Sequence, residues 1–228
     1  MKRSCFVLVF LATLALAASQ PARAQMGMDI FKRPAITKVF HPVVGKGAVY
    51  LDTTKDGKSR NSEISIVGQE SFEGKEGFWM QFVAADADGK SMVGKSLITP
   101  DDFQFHRMIV QMAGQPAMEM PMKMNASRKE RLEEKFEDWH SVGTESVTVP
   151  AGTFSCEHWR NDKSNSDVWT SEKISPFGLV KEVRPNSTMV LTKILDNAPD
   201  RITGPVKQFD MQQMMQEMQQ QRQQKQQP

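Results

Sequence analysis

The sequence is poor in the residues and patterns that covalent cross-links and catalysis require. Its 228 residues hold two cysteines, Cys5 and Cys156, one tyrosine and four histidines. Cys5 lies in a leader-like segment, which leaves Cys156 with no partner for an intramolecular disulfide. There is no G-x-S-x-G elbow, no S-x-x-K, no H-E-x-x-H and no paired C-x-x-C. The adjacent carboxylates Asp101-Asp102 and Glu133-Glu134 read as a solvated turn and a solvated helix face. No catalytic residue is assigned, and no enzyme is expected.

Charge of one sign is missing as well, with 29 basic residues against 27 acidic ones. Losing Lys2, Arg3 and Arg23 with a leader lowers the basic count from 29 to 26. That balance offers no cationic surface for phosphates, so no nucleic-acid partner is expected. One long apolar run exists, Cys5 to Ala18, interrupted by Thr13. It is shorter than the roughly 20 residues a membrane span needs. With Lys2 and Arg3 before it and Ala22-Arg23-Ala24 after it, it predicts a secretory signal over residues 1–24. The expected product is periplasmic or secreted and not membrane-spanning.

Period-2 alternation and turn residues predict strands around Ala48–Leu51, Glu63–Val67 and Phe78–Ala84, then Ser91–Ile98, Phe103–Met112 and Ala117–Met124. A second group is predicted at Glu145–Val149, Thr153–Arg160, Asp167–Ser171, Leu179–Val183 and Thr188–Leu195. Between the groups, Ser127 and Glu130 form a capping box, and Leu132, Phe136 and Trp139 make an apolar stripe at helical spacing. They predict one internal helix, ending before Gly143. Gly204-Pro205 followed by Met211, Met214, Met215 and Met218 predicts a C-terminal helix. The Gln-rich residues 219–228 read as a disordered tail. The expected organisation is a signal over 1–24, one α+β domain over 25–198, and a Met-striped helix with its tail over 199–228.

The segment VTVPAGTF at 147–154, with Cys156-Glu157-His158 and VWTSEKISPFGLVKEV at 168–183, resembles a recurrent pattern of uncharacterised secreted bacterial proteins. Their fold is similar to that of LolA-like periplasmic lipoprotein carriers. The resemblance implies a strongly curved, mainly antiparallel sheet forming an unclosed barrel, with helices over its concave face and an apolar interior that accepts acyl chains.

Methionine is the compositional outlier, with 16 residues. Met118, Met120, Met122 and Met124 recur at strict two-residue spacing, so an extended chain projects all four thioethers to one face and Glu119 to the other. Three readings fit this row: core filling, a deformable apolar wall for a lipid, and a soft Cu(I) site. Cys156 and His158 share a strand with one residue between them, but two ligands do not close a metal site, and no metal or cofactor is assigned. The favoured expectation is a non-enzymatic protein that binds a hydrophobic small molecule, a lipid or acyl chain, through Phe78, Met80, Phe82, Met118, Met120, Met122 and Met124. The alternatives are a Met-rich Cu(I)-binding protein, or a structural or assembly protein of the envelope that meets a protein partner through its C-terminal segment.

Overall fold

A computed structural model describes residues 39–85, 91–100, 104–120 and 138–208. The leader, the Ser127–Phe136 stretch, Met122, Met124 and the Met stripe of 211–218 lie outside the described residues.

Twelve strands form one sheet among the described residues. The first group is β1 (Gly47–Thr54), β2 (Ser59–Phe72), β3 (Lys75–Ala85), β4 (Ser91–Thr99), β5 (Gln104–Met112) and β6 (Ala117–Met120). The second is β7 (Trp139–Val149), β8 (Gly152–Asn161), β9 (Ser166–Thr170), β10 (Leu179–Val183) and β11 (Ser187–Leu195), followed by the short β12 (Val206–Gln208). The order across the sheet is β12-β6-β5-β4-β3-β2-β1-β11-β10-β9-β8-β7. Each group is therefore a meander of neighbouring hairpins, and β1 pairs with β11 to join them. Tight turns follow the local chemistry: Glu73 and Gly74, with φ of 50° and 78°, form the two-residue connection of β2 to β3.

The α+β expectation is overturned: the described residues contain strands and no helix, in one unclosed mixed sheet. Trp139, assigned above to the stripe of an internal helix, instead opens β7 opposite Asn161 of β8. Gly143 lies inside β7 at a bulge, where it was expected to follow the helix. After Gly204-Pro205, Val206–Gln208 pairs in parallel with Ala117–Glu119 of β6, where a C-terminal helix was expected to start. The physical reason is common to these positions. Caps and helical spacing are weak local preferences, and backbone groups beside a neighbouring strand are satisfied by ladder pairing. Among the described residues no helix is long and apolar enough to cross a membrane.

Bulges interrupt five strand pairings and bend the sheet. The Ala151 N–H at the tip of the β7–β8 hairpin donates to the Leu191 carbonyl of β11 at 3.3 Å. On a flat sheet β8 and β11 would lie about 14 Å apart, given the ~4.8 Å strand spacing. The hairpin outruns the short β9 and β10 and curls back over their ends. There the β9–β10 loop supplies Ile174 and Phe177, and Phe40 stacks on Phe177 with ring centroids 5.2 Å apart. At Gly178, where φ is +67°, an added Cβ would lie 2.7 Å from Val39 Cγ2, so a side chain has no room.

One face of the β1–β6 half carries Ala48, Tyr50, Ile64, Ile66, Phe78 and Met80, all buried in the larger core; it is called the inner face below. The outer face is covered by residues 196–205, which run as a strap from β11 to β12. Gln81, wholly buried, donates to the Pro199 carbonyl at 3.0 Å and accepts from the Arg201 N–H at 2.8 Å. Lys95 reaches Asp200 at 2.6 Å and Arg201 reaches Glu63 at 2.7 Å. Ile202 completes a second cluster with Trp79, Leu97 and Ile109.

Gln81→Leu removes both anchoring bonds and leaves a strap carbonyl and N–H unsatisfied. The expected loss is about 1–3 kcal/mol of unfolding free energy. Urea denaturation followed by tryptophan fluorescence measures it, and an unchanged midpoint would show that the ion pairs of Asp200 and Arg201 and the burial of Ile202 hold the strap without Gln81.

Candidate functional site

Register assembles the candidate site on the inner face. Across β2 to β6, one row runs Ile66, Met80, Ser96, Met108, Met120, and the next runs Ile64, Phe82, Gly94, Val110, Met118. Phe78 stands beside Met80 and opposite Ile98. Five of the seven residues expected to bind a ligand, Phe78, Met80, Phe82, Met118 and Met120, thus share one face. Met122 and Met124 lie outside the described residues. Phe78 and Met80 are buried, whereas Phe82, Met108, Met118 and Met120 are half-buried. Glu119 takes the opposite face, as alternation requires: Arg107 donates to it at 2.7 Å and to Glu70 at 3.0 Å while lying over the Trp79 ring. That hydrogen bond holds the Glu119 carboxyl below its ordinary value. Gln208 of β12 adds a bond to Glu119 at 2.9 Å, fastening the end of the strap.

The middle of this face is low. On β4 the inward positions include Gly94 and Ser96, flanked by Phe82 and Met80 on β3 and by Val110 and Met108 on β5. A Cβ placed at Gly94 would meet only the Ile109 carbonyl oxygen, at 4.0 Å, so no described side chain comes within 4 Å of that point. Small residues between large ones make a trough along β4 with walls of Phe and Met. The signal for this was a glycine inside a strand pattern, which points to a site of close approach.

Farther along the same face, the row Arg60, Asp52, Met189, Glu182 crosses β2, β1, β11 and β10. Glu182 is buried and is clasped by Arg184 through two bonds of 2.7 Å. Asp52 is also buried, but its Oδ1 has no hydrogen-bond partner among the described residues; neither has Thr170 Oγ1. Asp52 in the sequence Leu-Asp-Thr-Thr looks like an ordinary residue near a turn, so nothing local marks it.

Cys156 and His158 do not combine into a site. Cys156 is fully buried, its Sγ donating to the Phe154 carbonyl at 3.6 Å. Both imidazole nitrogens of His158 face carboxylates, Asp167 at 2.8 Å and Glu145 at 3.2 Å, and its ring stacks on Trp169. Lys181 lies over the same indole, 4.8 Å from its centroid. These contacts tie β7 to β10 and leave neither nitrogen turned toward the thiol. Among the described residues no three His, Cys, Asp or Glu side chains gather as a metal site.

No protein-family model matches the chain, and no curated protein is significantly similar to it. Among solved structures it is similar to a protein from Bacteroides fragilis described as exported and YmcC-like in fold, at 18% identity and a TM-score of 0.37, covering 68% of this chain and 98% of that one. It is also similar to a protein from Parabacteroides distasonis described as a lipoprotein, at 15% identity and a TM-score of 0.36, covering 68% and 97% of the two chains. A DUF1329 family protein from Desulfovibrio piger follows at 14% identity and a TM-score of 0.27, covering 78% and 93%. Similarity at this level transfers neither a site nor an activity.

Burial, and secondarily the charge of Glu145, pushes the Cys156 thiol up to about 11. A folded chain lacking residues 1–24, and with them Cys5, is therefore expected to react negligibly with a disulfide reagent at pH 8, where almost no thiolate is present, and to release one thiol rapidly in denaturant. Fast labelling of the folded chain would contradict the buried geometry.

Proposed function

We propose that this chain is an exported, non-enzymatic binding protein that holds a lipid or acyl chain on the inner face of its sheet. The observation that carries the reading is the trough above Gly94, walled by Phe82, Met80, Val110 and Met108 and continued by Met118 and Met120. A natural core fills such space with its own side chains, because interiors pack at crystal-like density. Thioethers on three-bond stems adapt to an irregular or variable guest. About ten buried methylenes would contribute ~8 kcal/mol at ~0.8 kcal/mol each, which offsets much of the association cost. The leader-like residues 1–24 favour an extracytoplasmic setting, where free lipid needs a carrier or a sink.

A second reading has an observation of its own. Met108 stands directly opposite Met120, and Met92 opposite Met112, so thioethers face one another across two ladders. Soft thioethers select Cu(I). Replacing Met108 and Met120 by Leu keeps the apolar volume and removes both sulfurs. Lost Cu(I) uptake with acyl binding retained would favour metal handling.

The test of the main reading is Gly94→Leu, which fills the trough. Affinity for a fluorescent polyene fatty acid is expected to fall at least tenfold while the unfolding free energy from urea denaturation stays within about 1 kcal/mol of the parent. The double change Met118→Asp with Met120→Asp is expected to weaken binding further. Undiminished affinity in both variants would remove the inner face as the site.

A further inference from the structure

The carboxylate of Asp52, whose Oδ1 has no partner among the described residues, lies on the face that carries the trough. Alternation along β1 puts Ala48, Tyr50 and Asp52 on one side, and the first two are core residues. Asp52 is 7% exposed, and its Oδ1 accepts no hydrogen bond from any described group. Burying a carboxylate without a donor is costly, so folds satisfy such groups or use them. Glu182 shows the satisfied case two strands away, bound through both oxygens by Arg184. Arg60 stands directly across from Asp52 in the ladder and leaves Oδ1 unbonded all the same.

Position adds to the anomaly. Asp52–Arg60 is the second pair from the end of the β1–β2 ladder, one step inside Thr53–Ser59. The neighbouring Arg60 and Met189 are half-buried. The carboxylate therefore sits at the rim of the inner face, where the apolar wall gives way to the hairpin end. A ligand whose tail lies among the methionines would bring its polar end to such a rim.

We propose that Asp52 is the headgroup anchor of the inner-face site and takes a primary ammonium, with Arg60 offering the opposite charge to the phosphate of the same zwitterionic headgroup. An ammonium supplies the N–H donors that Oδ1 lacks, and a charge-assisted bond in a partly desolvated place discriminates strongly against a headgroup without one. This rests on the acyl-binding reading above and specifies the class of amphiphile: zwitterionic aminophospholipids over anionic ones of equal chain length.

Two single-chain probes separate the terms: palmitoyl lysophosphatidylethanolamine, with phosphate and ammonium, and palmitoyl lysophosphatidylglycerol, with phosphate and hydroxyls. Each is titrated calorimetrically, below its micelle concentration, into the full chain and into Asp52→Asn. The expected result is about tenfold tighter binding of the ethanolamine lipid by the parent chain. Asp52→Asn should abolish that preference without weakening the glycerol lipid or lowering the melting temperature, since Asp52 Oδ1 accepts no hydrogen bond from any described residue. Equal affinities in the parent chain would overturn the anchor while leaving the acyl site standing. Binding of neither lipid would overturn the acyl reading and the anchor with it. A melting temperature lowered by several degrees, with both affinities reduced alike, would assign Asp52 a structural role and overturn the proposal.

Discussion

The pairing of β1 with β11 is the constraint on which the rest of the architecture depends. It joins Gly47–Thr54 to Ser187–Leu195 in one ladder, and the two meanders on either side are otherwise built from sequence neighbours. Each hairpin closes a short loop at small entropic cost, whereas this contact closes a loop of well over a hundred residues. Tyr50, opposite Leu191 in that ladder, lends its hydroxyl to the Leu179 carbonyl at 3.1 Å and so binds a third strand to the junction. Burial pushes that phenol far above its ordinary value, so it stays a neutral donor. Without the junction there would be two open sheets with edges to protect and no common inner face.

The two faces are finished by different chemistry. On the outer side, polar groups do the fastening: Gln81, Glu63 and Lys95 grip the strap, and Arg107 is shared between Glu70 and Glu119 above Trp79. On the inner side the β3–β6 rows are Phe, Met, Val, Gly and Ser, and most of their large side chains are only half-buried. One side is closed by specific hydrogen bonds, which demand one geometry. The other is lined by deformable groups, which tolerate several.

The strands were legible because alternation and turn residues are local. The predicted segments around Ala48–Leu51, Phe78–Ala84 and Thr188–Leu195 fall within β1, β3 and β11, and the Met118/Met120 face could be read from spacing alone. The helical expectation for Trp139 and for the residues after Gly204 rested on equally local signals. It failed there because the deciding partner is distant in sequence: Asn161 across from Trp139, and Ala117 across from Val206. The trough was half-legible, since Gly94 is visible in the sequence but its flanking pairs with Phe82 and Val110 are not. Asp52 was illegible, because its meaning lies in what fails to reach it across three strands.

The strap has a consequence for the order in which the molecule can be made. Its anchors, Ala198 on Gly45, Pro199 and Arg201 on Gln81, and Val206 on Ala117, bring late residues back onto strands from the first half of the chain. During N-to-C synthesis those earlier strands appear long before the segment that seals their outer face. Trp79, Leu97 and Ile109 therefore lack Ile202 until nearly the whole chain has emerged. The outer cluster is therefore the part of the fold completed last, after every strand beneath it has been made.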